Sequence, residues 1–360
     1  MIRELIAFSL SALEPMQLKD GTFCLEMRSG DPSPVGYSIR YTAMTALGLI
    51  RASENDHSNG LRLGEAVERV MADLNSPALA VGDLGLCMWL DRRAQGTEGD
   101  RIAHVLLDRL RTGPGLDESE GMQLAWMAIG LGLALRDAPT EPLRRALADV
   151  LDQMIDDNQQ RSGLMCHMGR GPRRRFPNFA TQIYSALAFA YIAKLDYDPR
   201  AARAGRRLGD ALLDIQLRDG GWPWIVDAFG SRIVESYEIY TVHQDAMAPM
   251  GLLELSEALD VDRYREAALL GLEWISGRND FEQDMLSPDR SMLYRSIRRK
   301  PPWNRLLLYV NTATALLARP IAPRWRGPVE INATDRPYHL GWVLEAWCGR
   351  ENNGQRRSSL

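Results

Sequence analysis

Two kinds of helical segment alternate along this 360-residue chain, and that alternation limits its folds more than any other feature. Segments 62–74, 101–110, 142–155, 201–215 and 262–275 place apolar residues at i, i+3 and i+4 with charges between them. Segments 41–50, 84–90, 122–135, 179–192, 246–255, 306–317 and 340–347 are apolar nearly all round. A helix of the first kind covers a core, whereas one of the second kind must be buried on every side. Alternation of the two means an outer ring packed around an inner ring. The prediction is an all-α fold, an α/α toroid of about six helical hairpins with a central cavity. Residues 1–14 add one more amphipathic helix, and the clearest strand signal is a hairpin near 285–297 turning at Ser287-Pro288-Asp289. No Pro/Gly/Ser-rich linker divides the chain, so 1–349 reads as one toroid domain and 350–360 as a disordered tail.

Composition enters as a set of exclusions. A net charge of −4 gives no general reason to expect a nucleic-acid partner. No apolar run is long enough to span a membrane, and acids interrupt the N-terminal stretch where a signal peptide would be continuous. Cys24, Cys87, Cys166 and Cys348 are scattered and suggest no disulfide framework, which points to the cytoplasm. Nothing calls for a cofactor.

Residues 208–255 concentrate the chemistry. A helical pattern ends at Gly220-Gly221, an aromatic and acidic loop follows, and a nearly uncharged helix begins near Ala246. His243, Gln244 and Asp245 stand at its start, where helix N–H groups favour a carboxylate. The exit Gln216-Leu-Arg-Asp-Gly-Gly-Trp222 is echoed by Gln17-Leu-Lys-Asp-Gly-Thr-Phe23 and, more weakly, by Gln160-Arg-Ser-Gly-Leu164. These repeats resemble the QW repeat of terpenoid cyclases and of protein-prenyltransferase β-subunit toroids, in which an outer helix ends in Q-x-x-D-G-G-W and an inner helix follows.

The resemblance implies a terpenoid-cyclase-like enzyme working on an isoprenoid in an aromatic-lined cavity. Its D-x-D-D acid is missing; by position only Asp245 can be carried over, as a proton donor with His243 as its partner and Tyr240 beside them. The cavity wall would include Trp222, Trp224, Tyr237, Arg40, Tyr41, Gln182, Tyr309 and Asn311. Asp83, Glu118, Glu120, Asn178, Asp335 and His339 also stand at inner-helix starts, which face one mouth in a toroid. Two basic runs, 170–175 and 295–300, offer Arg173, Arg174, Arg298 and Arg299 as contacts for an anionic group. The expected partner is therefore a small molecule, hydrophobic and with an anionic group.

A second reading comes from the α/α toroids that act on carbohydrates. Glycoside hydrolases need two carboxylates across a cleft, and Asp83, Glu118, Glu120, Asp227, Glu235, Glu238 and Asp245 offer a choice. A uronate lyase or epimerase acting on an acidic saccharide would use Tyr240 or His243 as base with Arg40 or Asn178 at the carboxylate. Cys166-His167 and Cys348 raise a zinc site as a remoter option. A non-catalytic scaffold would have a cavity lined only by apolar groups.

Overall fold

The computed structural model describes residues 1–352 apart from 58, 77, 280, 288, 290, 318–324 and 326. The helices follow the alternation in the sequence. They are α1 (Ile2–Leu13), α2 (Ile39–Glu54), α3 (Leu63–Ala72), α4 (Val81–Arg93), α5 (Gly99–Thr112), α6 (Gly121–Asp137), α7 (Glu141–Asp152), α8 (Phe179–Lys194), α9 (Pro199–Ile215), α10 (Ala248–Leu259), α11 (Asp262–Ile275), α12 (Trp303–Ala315) and α13 (Pro337–Trp347). The inner ring is α2, α4, α6, α8, α10 and α13, each packed on the next and α13 closing back on α2. The outer ring is α1, α3, α5, α7, α9 and α11. Together they form an α/α toroid.

Burial explains the two rings. Along α7 only Leu143, Ala146, Leu147, Val150 and Leu151 are buried, one stripe at helical spacing. Along α6 every residue from Leu124 to Leu135 is buried. Each large apolar side chain so buried contributes roughly 1.5–3 kcal/mol. The ring closes where α2 and α13 touch backbone to backbone. A Cβ on Gly48 would lie 2.0 Å from the carbonyl oxygen of Gly341, and one on Gly341 would lie 2.6 Å from Thr45 Cα.

The repeated loops are staples between successive outer helices. Gln17 Nε2 donates to the carbonyls of Gly21 (3.1 Å) and Arg62 (3.2 Å), the latter at the start of α3. Gln216 Nε2 donates to Gly220 (2.8 Å) and Ala267 (2.9 Å). In the third loop the residue in this role is Gln159, not Gln160: its Nε2 donates to Gly163 (3.1 Å) and Ala204 (2.8 Å). Gly21, Gly163 and Gly220 all have φ near +90°, the conformation that glycine adopts most readily.

Three expectations change. Segment 306–317 is not an inner helix. Residues 306–315 belong to α12, inserted between α11 and α13; Leu306 and Tyr309 on it, and Leu316 and Leu317 just past its end, are exposed. Arg350, expected in the tail, is buried and paired with Glu254 (2.5 Å) and Glu257 (2.8 Å); 353–360 lie outside the described residues. Strands are also more numerous than expected. The most consequential is a three-stranded sheet of Ile239–Tyr240, Ser296–Arg299 and Val329–Asn332, with Tyr240 opposite Ser296 and Ser296 opposite Asn332. The arms of the expected hairpin meet at Leu286 and Leu293, while Pro288 in its turn lies outside the described residues.

Side chains from inner helices that are not neighbours in the ring meet across its axis. Trp89 of α4 stacks on Trp342 of α13 at 5.7 Å and meets Tyr191 of α8 edge-on at 5.7 Å. Trp342 Nε1 donates to the Tyr184 hydroxyl of α8 at 2.7 Å. These side chains close the axis at their level.

Candidate active site

The inner helices run parallel, so their N-termini and the positive ends of their dipoles share one end of the toroid. At that mouth Arg40 of α2 grips Asp83 of α4 with two bonds of 2.6 and 2.9 Å, and its guanidinium lies 5.5 Å over the ring of Trp126 on α6. The Trp126 Nε1 is buried and has no hydrogen-bond partner among the described residues. Tyr41 and Tyr338 pack ring to ring at 4.4 Å, and Arg336 donates to the Tyr41 hydroxyl at 3.0 Å. These groups come from four inner helices.

The approach to α10 is the most unusual piece of backbone. Residues His243–Met247 form a π-type turn before the regular helix, a feature frequent at functional sites. It directs Asp245 sideways to α13, where His339 Nε2 lies 2.7 and 3.0 Å from the two carboxylate oxygens. When the imidazole is neutral, this contact assigns its proton to Nε2 and leaves the lone pair on Nδ1. Asp245 is wholly buried, and burial raises its pKa against the pull of His339. Asp335 is raised to about 6 by the same desolvation; its oxygens accept from the backbone N–H groups of Leu293 (3.0 Å) and Arg336 (2.7 Å).

His243 faces the mouth rather than Asp245. Its ring lies between Phe179 (4.9 Å) and Tyr240 (5.2 Å), and Nδ1 has no hydrogen-bond partner among the described residues. Burial, with the charges of Arg295 and His339, lowers its pKa to about 3, so the imidazole is neutral. Arg295 sits 5.0 Å over the Tyr240 ring. Burial works against its charge, but Tyr338, Tyr240, Tyr41 and Glu238 around it raise its pKa. Its buried Nη1 has no hydrogen-bond partner among the described residues. Glu238 accepts from the Tyr240 hydroxyl (3.1 Å), from Asn332 Nδ2 (3.3 Å) and from the Ser296 hydroxyl, which the strand register brings together.

The remaining mouth carboxylates are neutralised. Asp227 is held by Arg175 (2.9 Å) and Arg232 (2.8 Å), which lower its pKa against burial. Glu235 lies 2.5 Å from the buried Arg299. Glu120 lies 3.3 Å from His167 Nε2, which holds its pKa below the usual carboxylate range.

Several residues singled out from sequence therefore sit elsewhere than expected. His243 is not the partner of Asp245; His339 is. Trp222 is fully buried, stacked on Phe179 at 5.1 Å, and has no face to offer a ligand. Gln182 spends both ends of its amide on the backbone of Met165, at 2.8 Å each. Asn311 is buried against Glu235 at 3.3 Å. Trp224 meets Tyr240 edge-on at 5.3 Å, whereas Tyr237 and Tyr309 line a neighbouring hollow. Of the anion contacts, Arg173 lies 3.4 Å from Glu120, Arg174 donates to the Asp157 carbonyl (3.1 Å) and Arg298 to Glu330 (2.9 Å). Arg299 donates to the Trp325 carbonyl and pairs with Glu235. In the same basic run, Arg295 has a buried donor, Nη1, without a hydrogen-bond partner among the described residues. Strand alternation puts Arg295 and Arg299 on one face, each over a tyrosine, and only Arg299 pairs with a carboxylate there. Among the described residues no three His, Cys, Asp or Glu side chains gather as metal ligands, and burial pushes the Cys348 thiol up to about 12. No described helix is long and apolar enough to cross a membrane.

No protein-family model and no curated protein matches the chain. Solved structures do resemble it over nearly its whole length. An unsaturated glucuronyl hydrolase specific for heparin gives a TM-score of 0.67 at 12% identity, covering 99% of this chain and 98% of its own. The unsaturated glucuronyl hydrolase of Bacillus sp. GL1, responsible for the degradation of glycosaminoglycan, gives 0.61 at 14% identity over 96% of both chains. The cellobiose 2-epimerase of Bacillus thermoamylovorans gives 0.64 at 9% identity, covering 97% of this chain and 99% of its own. These likenesses establish the α/α toroid. They also overturn the resemblance to terpenoid cyclases and prenyltransferases, because the similar toroids are hydrolases and epimerases of saccharides. The glutamine loops are a device for holding helical hairpins together and carry no isoprenoid chemistry.

Proposed function

We propose that this chain is a carbohydrate-active enzyme that transfers a proton on an acidic sugar residue, as a uronate epimerase or lyase does. The observation that carries this reading is Arg295, a cation among tyrosines with a buried donor unused, beside two imidazoles in different environments. A uronate carboxylate accepts hydrogen bonds from a guanidinium at positions a neutral group would fill poorly. His339, oriented by Asp245, is the base that takes the proton from the carbon next to the carboxylate. Neutral His243 and the Trp126 indole are the donors for charge that develops on oxygen. Tyr240, Tyr41 and Tyr338 supply faces for the sugar ring. A purely apolar lining, which a scaffold would have, is absent from these described mouth residues.

One observation favours hydrolysis as a second reading. Glu238 is a mouth carboxylate bound by neutral donors, with no ion pair among the described residues. A glycosidase needs such a group opposite a protonated partner.

Product analysis by mass spectrometry and NMR, with uronate-bearing oligosaccharides as substrates, separates the two. His339→Asn should lower turnover on the order of 10²–10⁴-fold, the range for a positioned proton-transfer group. Cleavage of the glycosidic bond that survives His339→Asn and is lost in Glu238→Gln would sink the proton-transfer reading.

A further inference from the structure

Beside the mouth, α12 and the strands it covers enclose a hollow of about 300 Å³. That is the low end of the range for ligand pockets, roughly 300–1,000 Å³, and suits one sugar ring. Its walls are of the kind that bind a charged saccharide: Trp224, Tyr237 and Tyr309 present aromatic surface, and Arg298 and Arg305 bring cations. Arg305 is exposed in the first turn of α12, where the helix dipole disfavours a positive charge, and it has no carboxylate partner among the described residues. Arg298 gives its Nε to Glu330, which leaves the outer donors of its fork. The hollow adjoins the mouth through two residues that also contact Tyr240. Glu238 lines it and accepts from the Tyr240 hydroxyl, and Trp224 lines it and meets the Tyr240 ring.

We infer that this hollow is a second saccharide subsite, which holds the residue next to the one at the mouth and selects a carboxylate or sulfate on it through Arg305 and Arg298. The inference rests on the carbohydrate reading of the mouth. It also accounts for α12, a helix outside both rings that keeps Tyr309 72% exposed. The aromatic faces stack on the ring, and the two guanidiniums meet its anionic group.

Isothermal titration of the full chain with free glucuronate, a heparin-derived disaccharide and cellotetraose tests this. Arg305→Gln and Tyr309→Ala, both at exposed positions, should each weaken the disaccharide about tenfold and glucuronate by less than about twofold. Arg305→Lys should recover much of that loss, and cellotetraose should respond to Tyr309→Ala but not to Arg305→Gln. Equal losses for glucuronate and the disaccharide, or none for the disaccharide, would overturn the subsite while leaving the mouth reading in place. Failure of every saccharide to bind the wild type would overturn both.

Discussion

The two ends of the inner ring use charge in opposite ways. At the C-terminal end, Arg93 joins Glu345 (3.0 Å) and Glu54 (2.8 Å), Lys194 reaches Glu254 and Glu257, and Arg350 binds the same two glutamates. Apart from one oxygen of Glu345, these groups satisfy one another. At the N-terminal end, Arg295 Nη1, His243 Nδ1 and Trp126 Nε1 are all buried without partners among the described residues. An unpaired buried donor costs about 1–3 kcal/mol. The first end is therefore built for stability. The second carries a deficit that a ligand would relieve.

Substitutions at the two ends should have opposite consequences. Arg93→Met should destabilise the fold by about 3–5 kcal/mol, because it leaves Glu345 charged and buried without its partner; urea denaturation measures this. Arg295→Met should do the reverse. Stability should hold or rise, while affinity for a glucuronate-containing disaccharide falls by about 1.5–3 kcal/mol, the worth of hydrogen bonds to a charged group. A comparable stability loss in both variants would show that the mouth arginine is structural too.

Per pH unit, the effect of titrating His243 is smaller than either of these. His243 has a folded pKa of about 3 against an ordinary 6.5, so between those values the unfolded chain binds a proton that the folded chain does not. Stability should then fall as pH drops below 6.5, by on the order of 1.4 kcal/mol per pH unit at most. Asp335, raised from 3.8 to about 6, acts in the opposite direction between those two values. The readout is accordingly the difference between wild type and His243→Phe, which keeps the contact with Phe179 and cannot titrate. Parallel curves for the two would remove His243 as the source.

Local pattern carried the architecture because each ring imposes its own burial on consecutive turns of helix. It failed at α12, where Leu306 and Tyr309 mimic an inner helix although they are exposed on an insertion. It also chose Gln160 over Gln159. The four-residue step from Gln17 to Gly21 and from Gln216 to Gly220 does select Gln159 before Gly163. The site was legible as a list of inner-helix starts, which held Arg40, Tyr41, Asp83 and His339. Its pairings were not. His339 and Asp245 are 94 residues apart, and only the π-type turn at His243–Met247 aims the carboxylate at α13 instead of at its neighbour His243. Arg295 was hidden in a basic run, where nothing in the local pattern separates it from Arg299, which is spent on Glu235 and the Trp325 carbonyl.

In the proposed chemistry His339, oriented by Asp245, moves a proton on the sugar carbon beside a carboxylate held by Arg295. Incubation with a glucuronate-containing disaccharide in deuterated water, followed by NMR, tests it most directly. With the wild type the hydrogen on that carbon should be replaced by deuterium, as epimerisation requires, or lost to a double bond, as elimination requires; with His339→Asn it should stay. Turnover by the wild type that leaves the original hydrogen on that carbon would rule this reading out.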